Sequence, residues 1–374
     1  MCDLGPGYLD PAVIPLDELA KGFSDALSRY GADALSYGHS QGPLPFREAM
    51  ASAIARREGV DCAPGQVLVT AGTSHTLDLL AGATAQPGDV VLVEELSYDL
   101  GRRIFEDRGL VVREVARDGS GICPAALDDA VGQARAAGRT VAFAYLIPTF
   151  HNPTGTCMPE RRRRDVVEVA RRRGLLVLED DAYADVRLDP SAQPKSLAAR
   201  ASFDGIWQLG SFSKSLAPGL RLGWLVADAE TASRLAARGA FASGGCPSHI
   251  CALTVSTLLS SGFYERHLPV LQGRLRRRRD ALAGTLQELL PGDFTVAVPE
   301  GGLFVWVELP EGLDDGRIAA ASWRAGVPVA PGSRFGSAHG RPHGIRLSFA
   351  AHPPDRLQAA ARKLAAAWTE APAE

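Results

Sequence analysis

Lys214 stands in GSFSKSLAPGLRLGW (210–224), after a short apolar run and a serine-rich turn, with Arg221 seven residues on. A lysine in a concave position at a strand end loses solvation, and its neutral amine becomes a nucleophile towards a carbonyl. The hydroxyls of Ser211 and Ser213 with the guanidinium of Arg221 are donors that suit a phosphate. Upstream, GLLVLEDDAYADV (174–186) closes an apolar run with Glu179, Asp180 and Asp181, and Tyr183 follows. Ligands of open α/β sheets sit at the carboxyl ends of strands, where this cluster falls. One buried carboxylate there could keep a pyridine nitrogen protonated. The bland alternatives are a magnesium cluster or a helix cap.

Two further segments carry polar groups at strand ends. In AYLIPTFHNPTG (144–155) a strand-like run enters Asn-Pro-Thr-Gly, a rigid turn that presents the Asn152 amide. In VLVTAGTSHTLDLLAGA (67–83) a strand-like run is followed by Gly72, Thr73 and Ser74 and then an amphipathic pattern. Free N–H groups and the helix dipole make such a start a phosphate site, although Thr73 or Ser74 could equally be an N-cap.

The elements that must position these groups alternate along the chain. Strand candidates are 66–70, 89–94, 140–148, 174–181, 206–212 and 222–227; helix candidates are 73–85, 97–108, 124–137, 159–173 and 229–241. Alternation of this kind predicts an α/β sheet covered on both faces, and consecutive apolar positions fit strands buried on both sides. From about residue 263 the style changes: a long helix (263–289), two strands in FTVAVPEGGLFVWVEL, a helix (313–325), a strand at 344–349 and a last helix. That predicts a smaller α+β domain over 263–374, a large domain over 36–262, and a segment 1–35 joining the small one.

Composition excludes several classes. The 374 residues carry 40 basic and 43 acidic side chains, a net −3, so no global field favours nucleic acid or an anionic membrane. The arginine runs at 161–164, 171–173 and 276–279 lie among Glu and Asp in helical patterns and read as solvated faces. Cys246, His249 and Cys251 could be half a zinc site, but no second half matches, so no metal is expected. Six cysteines without a CxxC pair fit reduced thiols, and neither a signal peptide nor a membrane span is legible. A cytoplasmic protein is the expectation.

Taken together, NPTG, EDDAY, SFSK and the arginine seven beyond resemble the fold-type I pyridoxal 5′-phosphate (PLP) enzymes over almost the whole chain. The similarity is to class I/II aminotransferases of the aminoadipate and aromatic type, and to the catalytic domain of MocR-type regulators. It implies a large domain with a mostly parallel seven-stranded sheet between helices, plus a smaller α+β domain. It implies that Lys214 carries the cofactor as a Schiff base and shuttles the substrate proton, and that Asp180 pairs with the pyridine nitrogen. Asn152 and Tyr183 would hold the phenolate oxygen, and Tyr98 would stack on the ring. Gly72, Thr73, Ser74, Ser211, Ser213 and Arg221 would hold the phosphate, with Tyr37 reaching it from the neighbouring subunit of a homodimer. Arg346, Asn152 and Gly7 would bind the amino acid and keto acid substrates.

The sequence departs from the family pattern in places. Its LGPGYLDP segment begins at residue 4, and there is no room for a winged-helix domain, which argues against a DNA-binding regulator or a non-catalytic sensor. His75 and His151 stand where glutamines are usual, Leu96-Ser97 replaces a proline before Tyr98, and His39 lies two residues after Tyr37. A pocket histidine could select an anionic or sulfur-bearing substrate or act as an extra acid or base, but more often such a histidine simply satisfies local hydrogen bonds. Transamination is the leading expectation. A PLP lyase or decarboxylating or oxidative deaminase, for example on an S-conjugated cysteine in a specialised pathway, is the alternative.

Overall fold

The computed structural model describes residues 1–191, 194–336 and 344–370. Its large sheet is built from β1 (Val67–Thr70), β2 (Val90–Glu94), β3 (Val111–Val115), β6 (Val141–Leu146), β7 (Val177–Asp180), β8 (Ile206–Ser211) and β9 (Gly223–Val226). A two-residue ribbon, β4 (Arg117–Asp118) and β5 (Gly121–Ile122), lies apart from it. The strand order is β1-β9-β8-β7-β6-β2-β3, parallel except for β9, which runs antiparallel to both its neighbours. The seven-stranded, mostly parallel sheet is therefore as the resemblance implied. Its edge strand β3 escapes the sequence because VVREV is exposed at one end and lacks an apolar run.

Alternate residues of each strand feed two cores, as the two-residue repeat of a strand requires. Val67, Val69, Leu92 and Val177 pack with α2 (Leu44–Glu58), α5 (Pro124–Ala136) and α6 (Glu160–Arg173). Leu68, Val91, Phe143 and Leu178 pack with α3 (Thr73–Thr84) and α4 (Asp99–Asp107). Short helices α7 (Leu197–Arg200), α8 (Ala229–Ala236) and α9 (Gly239–Gly244) fill the connections, and α10 (His249–Ser260) packs against α1 (Leu16–Tyr30).

A third core joins the chain's two ends. Leu4, Leu9 and Val13 pack with Leu271–Leu286 of α11 (Phe263–Leu289) and with α13 (Pro354–Thr369). They also meet a four-stranded antiparallel sheet of β10 (Thr295–Ala297), β11 (Phe304–Glu308), β13 (Gly344–Ser348) and β12 (Ala330–Pro331); α12 (Asp315–Arg324) completes this part. Segment 1–35 divides between cores: residues 4–13 join this one, whereas Leu19 of α1 packs in the first. The helix α11 also serves both, with Tyr264 in the first core and Leu271, Leu275, Leu282 and Leu286 in the third.

Candidate active site

The carboxyl ends of β7 and β8 and the start of α3 open on a cavity of about 210 Å³. Asp180, the last residue of β7, faces it, fixed by the sheet register opposite Leu209 of β8. The Tyr145 hydroxyl donates to Asp180 Oδ2 at 2.7 Å and the Ala182 N–H to Oδ1 at 3.1 Å. Burial still pushes this carboxyl up to about 6, against the lowering effect of these two hydrogen bonds and of the Lys214 charge. Its two neighbours do other work. Glu179 accepts the N–H groups of Leu197 and Ala198 at the start of α7, at 2.9 and 2.8 Å, and lies 3.6 Å from the buried Arg163. Asp181 is held by Arg57 at 3.1 Å and Gln208 at 2.8 Å. The acidic triplet is thus one cavity group, one helix cap and one ion-pair partner, and the cap alternative was right for Glu179.

Lys214 follows the turn after β8 and points its amine at the chain's first residues. Nζ donates to the Gly7 carbonyl at 2.9 Å and lies 5.9 Å from the centre of the Tyr183 ring. Burial lowers its pKa to about 8, helped by the positive charges of Arg346 and Arg221 and opposed by Asp180. Gly7 is needed there because a Cβ would meet the Phe304 ring at 2.6 Å.

The same cavity is lined by Thr73, Ser74, Ser211, Ser213 and Arg221. Gly72 has φ +88° and ψ 172°, a conformation glycine alone adopts readily, and a Cβ would meet Arg221 Nη2 at 3.0 Å. No side chain caps α3, so its first N–H groups are free for a ligand. The Thr73 hydroxyl is buried without a partner, and Ser211 Oγ donates to Ser213 Oγ at 2.9 Å. Arg221 adopts φ +45°, and Nη2 reaches the Ala71 carbonyl at 2.9 Å. An orphaned hydroxyl, uncapped amides and an arginine around a glycine cradle fit a phosphate. With a buried carboxylate and a poised amine lining the same cavity, the residues present fit PLP.

Arg346, on β13, does not itself line this cavity but is enclosed behind Asn152, which does. Its guanidinium carbon lies 4.2 Å from the Phe304 ring centre and 4.5 Å from that of Phe335. Nη1 donates to Asn152 Oδ1 at 2.7 Å and Nη2 to the Gly5 carbonyl at 2.6 Å, while Nε is buried without a partner. Burial lowers its pKa to about 10, so it stays a cation at neutral pH. Asn152 and Tyr183 also line the cavity, and burial pushes both the Tyr183 and Tyr98 hydroxyls up.

The histidines singled out in the sequence do not line this cavity. His151 is buried, with Nδ1 2.9 Å from Thr154 Oγ1 and Nε2 3.4 Å from Glu94, and burial drives its pKa well down. His75 Nδ1 accepts the Ala71 N–H at 3.3 Å, and His39 is exposed. Tyr37 is 86% exposed and away from the cavity of its own chain. Among the described residues no cluster of three metal-ligating side chains occurs, all six cysteines are free, and no helix is long and apolar enough to cross a membrane. Sequence reasoning missed Tyr145, Gly5, Phe304 and Phe335. Tyr145 had a signal, since a tyrosine inside an apolar strand needs a partner for its hydroxyl.

The family described as aminotransferase class I and II matches residues 8–364. Aromatic-amino-acid aminotransferase 1 of Thermococcus litoralis is 28% identical over 368 residues, 97% of this chain and 86% of that one. The 2-aminoadipate transaminase of Thermus thermophilus is 33% identical over 349 residues, 92% of this chain and 84% of that one. The crystal structure of Pyrococcus horikoshii kynurenine aminotransferase, in complex with PMP, superposes with a TM-score of 0.92 at 28% identity, covering 99% of this chain and 91% of that chain. The chain therefore belongs to the class I and II aminotransferases, PLP-dependent enzymes that move an amino group between an amino acid and a 2-keto acid.

Proposed function

We propose that Lys214 is the residue on which PLP is carried and the base that moves the proton at the substrate α-carbon. The observation that supports this most directly is the amine itself: buried, shifted to about 8 and facing the same cavity as Asp180. A lysine so placed is neutral often enough near pH 7 to act as a base. Asp180 would hold the ring nitrogen in its protonated form, Asn152 and Tyr183 the phenolate oxygen, and Tyr98 the ring face. Gly72, Thr73, Ser74, Ser211, Ser213 and Arg221 would hold the phosphate. The bound coenzyme supplies an electron sink for the charge left at the α-carbon.

Arg346 would receive the substrate α-carboxylate, assisted by Asn152 and Gly7. Its present partners, an amide oxygen and a backbone carbonyl, are neutral, so a carboxylate is the stronger partner. Aminotransferases of this family act as oligomers. For this chain the reading specifies a homodimer with Tyr37, exposed here, reaching the phosphate of the neighbouring subunit. It keeps a large domain over 36–262 and a small one over 263–374, with Leu4, Leu9 and Val13 in the small core. A reducing cytoplasmic setting suits six free cysteines, and a net charge of −3 gives no reason for a nucleic-acid partner.

Lys214→Ala is the test. Mixed with PLP, the variant should lack the visible absorbance band of the wild type, and borohydride reduction should fix no coenzyme on the chain. A persisting band would mean that another lysine is the carrier.

A further inference from the structure

Beside the cavity runs a largely buried polar relay none of whose members lines it. Ser215, next to Lys214, is 2% exposed, and its hydroxyl lies 2.7 Å from the Tyr264 oxygen. The Tyr264 oxygen is also 2.7 Å from Asp185 Oδ2. A phenol has one proton and a carboxylate can only accept, so Tyr264 donates to Asp185 and receives the Ser215 proton. Asp185 Oδ1 lies 3.5 Å from Arg57 Nη1, and Arg57 Nη2 lies 3.1 Å from Asp181 Oδ2. His267, one turn along α11 from Tyr264, lies with Nε2 2.9 Å from the Ser215 carbonyl, an acceptor that fixes the proton on that nitrogen. The relay thus touches the residue after Lys214, the residue after Asp180 and the second residue after Tyr183.

We propose that Tyr264 is a positioning residue for Lys214, acting through the Ser215 hydroxyl. A lysine reaches its target through four flexible methylenes, so the direction of its amine depends on how firmly its backbone is held. Ser215 is held twice from α11, at its hydroxyl by Tyr264 and at its carbonyl by His267. Because α11 continues, past Pro269, into the core of the small domain, the lysine turn and that domain share one helix. The inference rests on Lys214 carrying the coenzyme.

Tyr264→Phe tests it in the PLP-loaded enzyme. The ring keeps its edge contact with Phe212, 5.5 Å between centres, and the relay loses its central oxygen. The expected result is kcat lowered about tenfold, roughly 1.4 kcal/mol of barrier, with KM for the amino donor within about twofold. The pH midpoint of the visible band should move by about half a unit, as expected when a polar partner of the site's frame is lost. Unchanged kcat and midpoint would overturn the proposal. Ser215→Ala should give the same signature, and the double variant should lose no more than Tyr264→Phe alone, whereas additive losses would show that Ser215 is not the route. If Tyr264→Phe fails to fold, Ser215→Ala alone decides by the same two readouts. Borohydride trapping of the wild type separates the levels. Coenzyme fixed on another lysine sinks the site assignment; coenzyme on Lys214 with unaltered variants sinks this proposal alone.

Discussion

Two sides of the cavity are held by different means. On the sheet side, Asp180 ends β7, Ser211 ends β8 and Gly72–Ser74 follow β1, so the hydrogen-bonded register of one sheet places all three. On the other side, Asn152 from the turn after β6 and Gly7 line the cavity, and behind Asn152 stand Arg346 from β13, Phe304 from β11 and Gly5. Sheet positions cannot shift one at a time, because each backbone group is paired along the ladder. The partners of Arg346 and Lys214 on the other side are single neutral acceptors, Asn152 Oδ1, Gly5 O and Gly7 O, which a substrate or coenzyme can replace. A rigid side suits a coenzyme that stays; an exchangeable side suits substrates that come and go.

Breaking the frame under the sheet side should have the largest effect. Glu179→Ala leaves Arg163 buried without its carboxylate and two N–H groups of α7 unmet, so the free energy of unfolding should fall by about 3–5 kcal/mol. Denaturant unfolding measures it, and a loss well under that range would mean the frame is not stiffened there.

Poise between the two sides, where Lys214 meets the Gly7 carbonyl, should appear as pH dependence. Lys214 has its pKa lowered to about 8, so its neutral fraction rises tenfold per unit below that value and levels above it. The rate at which apo-protein captures PLP, divided by the rate for a simple alkylamine at each pH, cancels the titrations of PLP itself. That ratio should be greatest below pH 8 and fall by about a hundredfold between pH 8 and 10.5, as the alkylamine goes on gaining its neutral form. A ratio that stays flat would mean an unshifted lysine. Arg346→Ala should then weaken amino-acid binding about thirtyfold, near 2 kcal/mol for charge-assisted hydrogen bonds, while PLP affinity stays within about twofold. Loss of PLP instead would place Arg346 on the coenzyme side.

The difference between the sides also explains what could be read beforehand. Segments 67–83, 144–155, 174–186 and 210–224 are contiguous because each is a strand and the turn at its end. Residue type and local pattern were therefore enough to gather the acidic triplet 179–181, Asn152 and Lys214. The other side is made by packing between distant segments, and apart from Arg346 and Gly7, which the family resemblance supplied, Gly5, Phe304 and Phe335 had no local signature. Asp180 could not be told from Glu179 and Asp181 by pattern alone, because strand alternation and the position of α7 decide which faces the cavity. Pattern alone could not place the histidines either: His151 meets Thr154 and Glu94 and does not line the cavity. Helices α1, α2 and α10 went unread, and α2 shows why, since LPFREAMASAIARRE buries small and large residues without a clean apolar stripe.

The smallest expected effect sharpens the contrast at the rigid side. Gly72→Ala puts a side chain at φ +88°, ψ 172°, where non-glycine residues carry about 1–3 kcal/mol of strain. It also sets a methyl 3.0 Å from Arg221 Nη2, whose flexible end can give way. Because the backbone of Gly72 abuts that of Gly223 on β9, with 2.6 Å between Gly72 Cα and the place of a Gly223 Cβ, the loop has little room to relax. The strain should therefore remain in the cradle and weaken PLP binding about tenfold, at the lower end of that range. KM for the amino donor, measured at saturating PLP, should not change, because Arg346 and its partners lie on the other side. If KM rose in step with the PLP dissociation constant, the two sides would be mechanically one, and the separation drawn from their construction would fail.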